Sequence, residues 1–180
     1  MGYLIDYLGD FISRERNRNE GEDNNRFAFS IGQVALYLDF LQLSCGRHDE
    51  AMAAAARALD EMRMGKPHGD VTVGPQYLEA LTQLNLNSFL VQYEIECFFL
   101  FAKILLDKVA NFVWDYFGQA RNLSLRSHDQ LVKNLSKYSR KKEISLPDSF
   151  VELASSLKDT VADYRDKQIA HLQSPELLRG

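Results

Sequence analysis

An all-α fold is predicted by three features of this sequence. Apolar residues recur at three-and-four spacing over long stretches, Pro and Gly are scarce at 4 and 10 in 180 residues, and a 46% hydrophobic share stands beside 26% charged residues. That balance belongs to a globular helical chain, and the length suits one domain with its own core. The expected architecture is an antiparallel helical bundle over residues 1–180. It is divided into a short helix and polar loop (1–26), a helical hairpin (27–64) and a set of core helices (76–172).

Each element follows from its local pattern. Tyr3, Leu4, Tyr7, Leu8 and Phe11 give residues 1–12 one apolar face, and "SRERNRNEGEDNNR" after them has too few apolar residues to bury anything. "FAFSIGQVALYLDFLQL" places Ile31, Val34, Leu38 and Leu41 on one helix face. Cys45-Gly46 is expected to end that helix, and Asp49 to cap a second one in the alanine-rich "EAMAAAARALDEMRM". "GKPHGDVTVGP" breaks the chain at 65–75. Residues from Gln76 to about Phe117 then form one long helix or two joined near "NLNS". The second half of that run is apolar nearly all round, which predicts burial inside a bundle. Gly118 closes it, Ser127 caps a basic helix, and Ser149 with Glu152 forms a capping box for a last helix running to about Leu172. Phe150, Leu157, Val161, Tyr164 and Gln168 mark the inward face of that last helix, with His171 next in line.

Composition narrows the function. Cys45 and Cys97 lie in apolar helical runs and read as reduced, buried thiols of a cytoplasmic protein. The N-terminus has Asp6 and Asp10 inside its apolar stretch and no basic region before it, unlike a secretory signal. The most apolar window carries Lys103, Asp107 and Lys108, a charge density that argues against a membrane span. No P-loop, dinucleotide-binding glycine pattern, HExxH or Cys/His cluster is found, so neither cofactor nor metal is expected.

Charge is unevenly distributed. The chain totals −4, yet residues 121–142 contain Arg121, Arg126, Lys133, Lys137, Arg140, Lys141 and Lys142 against the single acid Asp129. On a helix, Arg126, Lys133, Lys137 and Arg140 form one stripe, read either as a solvated face or as RNA-contacting residues that track phosphates. A second stripe, Gln92, Glu96, Lys103, Asp107, Asn111 and Asp115, is either a solvent strip or a carboxylate-lined groove wall.

Two resemblances follow from motifs. "GRHDEAMAAAARAL" resembles the second half of a tetratricopeptide repeat, with Gly46, Ala51 and Ala58 as its small packing residues, but no second copy occurs at the period of roughly 34 residues. It therefore implies a tight hairpin over 31–64, or a repeat-type adaptor. "DYRDKQIAH" places Arg165, Asp166 and His171 on the last helix, behind the long helix containing "FAKILLDKV". These regions, about residues 76–172, resemble a HEPN domain, whose signature is an arginine, commonly followed by Asn, Asp or His, and a histidine a few residues on. A looser match, "RNLSLRSH", pairs Arg121 with His128 at a loop and helix start.

The HEPN resemblance implies a metal-independent endoribonuclease, often a toxin or antiphage effector, that works as a homodimer. An antitoxin or other protein partner is a further implication. Arg165, Asp166 and His171 would be catalytic, with Asp107 or Glu96 as supporting carboxylates. The chemistry is coherent: histidine moves protons near neutral pH, and a guanidinium holds the charge gathering on a pentavalent phosphate. Six residues of helix separate the arginine and histidine by about 9 Å of rise, so a symmetric pair of motifs would complete the site. The alternative is a non-catalytic helical interaction module using the apolar long helix and the 31–64 hairpin.

Overall fold

The computed structural model describes residues 10–11, 13–14, 26–64 and 74–164. The regular structure of the described residues includes four helices: α1 (Arg26–Met64), α2 (Pro75–Phe117), α3 (His128–Lys142) and α4 (Asp148–Tyr164). Among the described residues there is no strand, only an isolated antiparallel bridge between Ala120 and Leu123. The all-α bundle expected from the sequence is the fold observed. Asp10, Phe11, Ser13 and Arg14 are helical, while the rest of the N-terminal segment and the segment carrying Arg165, Asp166 and His171 lie outside the described residues.

By contacts the chain divides into two compact units, one comprising residues up to Asp39 and from Phe99 onward, the other Phe40–Phe98. Within the first, the beginning of α1 lies antiparallel to the end of α2. Phe27 meets Phe112 and Tyr116, and Tyr37 meets Phe101. Phe11 joins this aromatic group against Phe27 and Phe112, and the Ser30 hydroxyl donates to the Asp115 carboxylate.

The main core of this unit is built on α3. Leu131, Leu135 and Tyr138 repeat at four and three residues, so they share one helix face and bury it. They close on Ala110, Ala120 and Leu125, with Val113, Trp114, Leu123, Ile144, Leu146 and Val151 around them. Ala110 has no side chain beyond Cβ, which lets α2 approach closely; it is fully buried. α3 also packs against α4. The buried line of α4 runs through Ala154 and Val161, and Tyr164 stacks on Phe99 with ring centroids 3.7 Å apart. Phe150 and Leu157, expected on the inward face, remain partly exposed beside Leu153.

Both ends of α3 are chemically defined. Ser127 is extended and its hydroxyl accepts from the Gln130 N–H, as expected of an N-cap. At the other end Glu143 is left-handed, and the Ile144 N–H returns to the Ser139 carbonyl at 2.9 Å. Gly118 terminates α2 at φ +77, again as expected.

The second unit corrects the hairpin expectation. α1 runs unbroken through Cys45-Gly46, so the expected hairpin of 27–64 lies within one helix of 39 residues, Arg26–Met64, and is not two helices. A glycine inside a helix costs about 1 kcal/mol relative to alanine, and the contacts flanking Gly46 offset it. The Ser44 hydroxyl lies 2.9 Å from the Glu94 carbonyl and 3.0 Å from Glu94 Oε2. Arg47 Nε stands 3.0 Å from Glu94 Oε1, an ion pair rather than an aligned hydrogen bond. Ala51 and Ala58 are buried as a close-packed helix pair requires, but Gly46 is exposed and a Cβ there would meet nothing within 4 Å. α2 is likewise one helix of 43 residues through "NLNS". Its apolar second half is only partly buried, with Leu100 55% exposed. α4 begins at Asp148, one residue ahead of the predicted cap, so Ser149 lies within the first turn.

Candidate nucleic-acid interface

The basic segment folds into a surface with a physical logic. Burying Leu131, Leu135 and Tyr138 turns the opposite face of α3 outward, and Lys133, Lys137, Arg140 and Lys141 stand exposed on it. Before the helix, the chain from Ala120 to Leu123 makes a tight turn, closed by the Leu123 N–H on the Ala120 carbonyl at 3.1 Å. Asn122 takes its third position at φ 63, a conformation that asparagine tolerates better than most residues. Arg121 and Asn122 are thus held at the turn's outer corner, both exposed.

A ladder of contacts ties this loop to one edge of α3. The Gln130 side-chain oxygen accepts from the Ser124 hydroxyl at 2.6 Å and from the Arg126 N–H at 3.0 Å. Asn134 donates to the Ser124 carbonyl at 2.9 Å, Tyr138 to the Gly118 carbonyl at 2.6 Å and Lys141 to the Arg121 carbonyl at 2.6 Å. Burial raises the Tyr138 pKa, which keeps its hydroxyl a donor. The loop is therefore fixed before any ligand arrives.

Two open depressions result. One, of about 580 Å³, is lined by Arg121, Asn122, Leu123, Lys137, Arg140 and Lys141. The other, of about 740 Å³, shares Arg121, Asn122 and Leu123 and adds Trp114, Gln119, Ala120, Ser124 and Arg126. Neither lining includes an acid. Among the described residues, none of the seven cations between Arg121 and Lys142 makes an ion pair with a side chain. The segment's one acid is engaged elsewhere: Asp129 faces Lys158 at 3.7 Å and Lys103 at 3.9 Å. Arg140, Lys141 and Lys142 also complement the negative end of the α3 dipole, but Arg121 and Lys137 do not share that role.

The four residues expected to contact RNA are divided by this geometry. Lys137 and Arg140 line the smaller depression and Arg126 the larger, while Lys133 lines neither. Arg126 precedes α3 and does not extend its helical stripe. Arg121, Asn122, Lys141 and Trp114 were not expected at the site; the short polar run "RNLS" between a helix-ending Gly118 and a capping Ser127 was the available signal for a turn there.

The polar stripe of α2 breaks into local pairs. Gln92 donates to Glu96 at 3.0 Å within the second unit. In the first unit Lys103 pairs with Asp107 Oδ1 at 3.2 Å, and the His128 N–H donates to the same oxygen at 2.8 Å. Asp107 thus fastens the positive end of α3 to α2. His128 is buried, and its pKa is lowered first by that burial and next by the Lys103 charge, against the opposing pull of Asp107 and Asp129. The two proposed supporting carboxylates, Asp107 and Glu96, belong to different compact units. Arg165, Asp166 and His171 lie outside the described residues.

Among the described residues no group of His, Cys, Asp and Glu side chains is arranged to hold a metal ion, and no helix is long and apolar enough to cross a membrane. Cys45 and Cys97 are free thiols, both partly buried. Compared with known proteins, the chain matches no family model, no curated protein and no solved structure.

Proposed function

We propose that this protein acts on RNA, as a metal-independent endoribonuclease of HEPN type. The observation that carries the reading is the unpaired basic surface of α3 and its preceding loop, where Arg121, Lys137, Arg140 and Lys141 share one depression without an acid. In a chain of net charge −4, such a concentration of cations selects a polyanion. Arg165 would clamp the scissile phosphate, His171 would transfer the proton of the attacking 2′-hydroxyl or of the leaving 5′-oxygen, and Asp166 would orient one of them. A homodimer would supply the second copy of the motif, and a toxin or defence role with a neutralising partner fits such an activity. The described end of α4, Tyr164, adjoins Arg165 in sequence.

The test is incubation of a defined single-stranded RNA in EDTA with wild-type protein and with His171→Ala. Cleavage by the first and not the second is expected; equal cleavage by both sinks the assignment of His171. A non-catalytic helical interaction module is the second reading, favoured by Leu43, Met52, Leu78, Leu86 and Phe89 of the second unit, each at least half exposed.

A further inference from the structure

We infer that the two depressions beside the Arg121-Asn122 turn form one nucleotide-binding subsite for single-stranded RNA, with a base on the Trp114 side and the adjoining phosphates on the Lys137 side. The inference rests on the reading of the α3 surface as RNA-facing, and not on the Arg165–His171 motif. Three observations carry it.

The depressions flank the same turn, since both are lined by Arg121, Asn122 and Leu123. Their linings differ in chemistry. The smaller is cationic, with Lys137, Arg140 and Lys141 joining Arg121, as a sugar-phosphate backbone requires. The larger combines an aromatic ring, Trp114, with the side-chain amides of Gln119 and Asn122, the hydroxyl of Ser124 and the guanidinium of Arg126. An indole offers a stacking surface to any base, while amide and guanidinium groups match the donors and acceptors of base edges. Finally, the loop carrying Arg121, Asn122 and Ser124 is tied down by Gln130, Asn134, Tyr138 and Lys141, so little ordering remains to oppose binding.

A single strand fits this arrangement better than a duplex, because a paired base cannot reach an indole in a depression. An anionic membrane would satisfy the cations but leave the polar groups around Trp114 without a role.

Trp114 is the only tryptophan in the chain, so its fluorescence reports directly on the larger depression. The experiment titrates full-length protein with a short oligouridylate in which every 2′-hydroxyl is methylated, which removes the nucleophile for cleavage, and follows both Trp114 emission and the anisotropy of an end label. A saturable emission change that parallels anisotropy is expected. The combined Lys137→Glu and Arg140→Glu protein should bind at least tenfold more weakly. Arg121→Ala, whose side chain is exposed, should make the slope of log affinity against log salt shallower by about 0.7, the value for one phosphate contact on a single strand. Because Trp114 also packs against the core, Trp114→Phe serves with Trp114→Leu: the first should retain most affinity and the second lose it while keeping its helical circular dichroism.

Anisotropy without an emission change overturns the inference, as does emission that responds to phosphatidylserine vesicles but not to the oligonucleotide. Cleavage of unmodified RNA by a protein that fails to bind the methylated strand leaves the ribonuclease reading standing and removes this one. Binding without cleavage does the reverse.

Discussion

The two compact units are held together by different means. In the first, large side chains close a core: Leu125, Leu131, Leu135 and Tyr138 are all at most 2% exposed, and contacts from the preceding loop bind one edge of α3. In the second, Phe40–Phe98, the buried residues among those described are Ser44, Ala51, Ala58, Ala80 and Glu94. Alanines permit close approach of two helices but remove little apolar area from water, so each contact contributes less than a buried leucine. The difference teaches where rigidity is invested. The unit with large buried side chains presents a fixed cationic surface, whereas among its described residues the second leaves leucines, methionines and a phenylalanine at the surface.

The first unit depends most on Leu135. Leu135→Ala removes a buried side chain from the centre of the first core and should destabilise that unit by about 2–5 kcal/mol. Chemical denaturation followed at Trp114 measures it, since the indole packs against the same cluster. A loss below about 1 kcal/mol would mean that α3 is not the centre of the unit and that the depressions beside it are not held rigid by that core.

Acidification should weaken the first unit next. His128 is buried at the start of α3, faced by Lys103 and Asp107 of α2, by its neighbour Asp129 and by Lys158 of α4, and its pKa is lowered. The unfolded chain therefore takes up this proton at a higher pH than the folded one. The stability associated with neutral His128 is complete above about pH 6.5, the ordinary histidine value, and is lost as pH falls from there through the lower folded value. Urea denaturation across that window should show stability declining with pH, and His128→Asn should remove this part of the slope. An unchanged slope would assign the pH response to other groups.

What the sequence made legible was local. Ser127 as a cap and Gly118 as a helix end both need only nearest neighbours, and both are found. Gly46 does not end its helix because Ser44 and Arg47 hold the backbone on either side of it, and their partner Glu94 lies about fifty residues away in the chain, beyond what local sequence shows. The basic character of α3 was evident from composition. Its depression was not, because Arg121 reaches Lys137 and Lys141 only through a turn closed by the Leu123 N–H on the Ala120 carbonyl and tied to α3 by contacts from Asn134, Tyr138 and Lys141. The polar stripe of α2 was visible by spacing, yet spacing carries no partner, and Asp107 found one in the His128 N–H.

The smallest expected change in stability carries the most information about the second unit. Residues 80–93, "ALTQLNLNSFLVQY", contain no charged side chain, yet Leu86 and Phe89 are 51% and 66% exposed on that stretch of helix. If they face water, replacing both with lysine removes nothing that is buried, and stability should move by no more than about 0.5 kcal/mol per substitution. If the interaction-module reading holds, the same protein loses a partner-facing patch, because two lysines placed in an apolar contact must be desolvated without a counter-charge. Sedimentation equilibrium of wild type and the Leu86→Lys, Phe89→Lys protein decides between the two. A monomeric variant from an associating wild type, with helical content unchanged, assigns the exposed leucine and phenylalanine to self-association. Identical sedimentation leaves the patch without a role in assembly and returns the weight of function to the charged surface of the first unit.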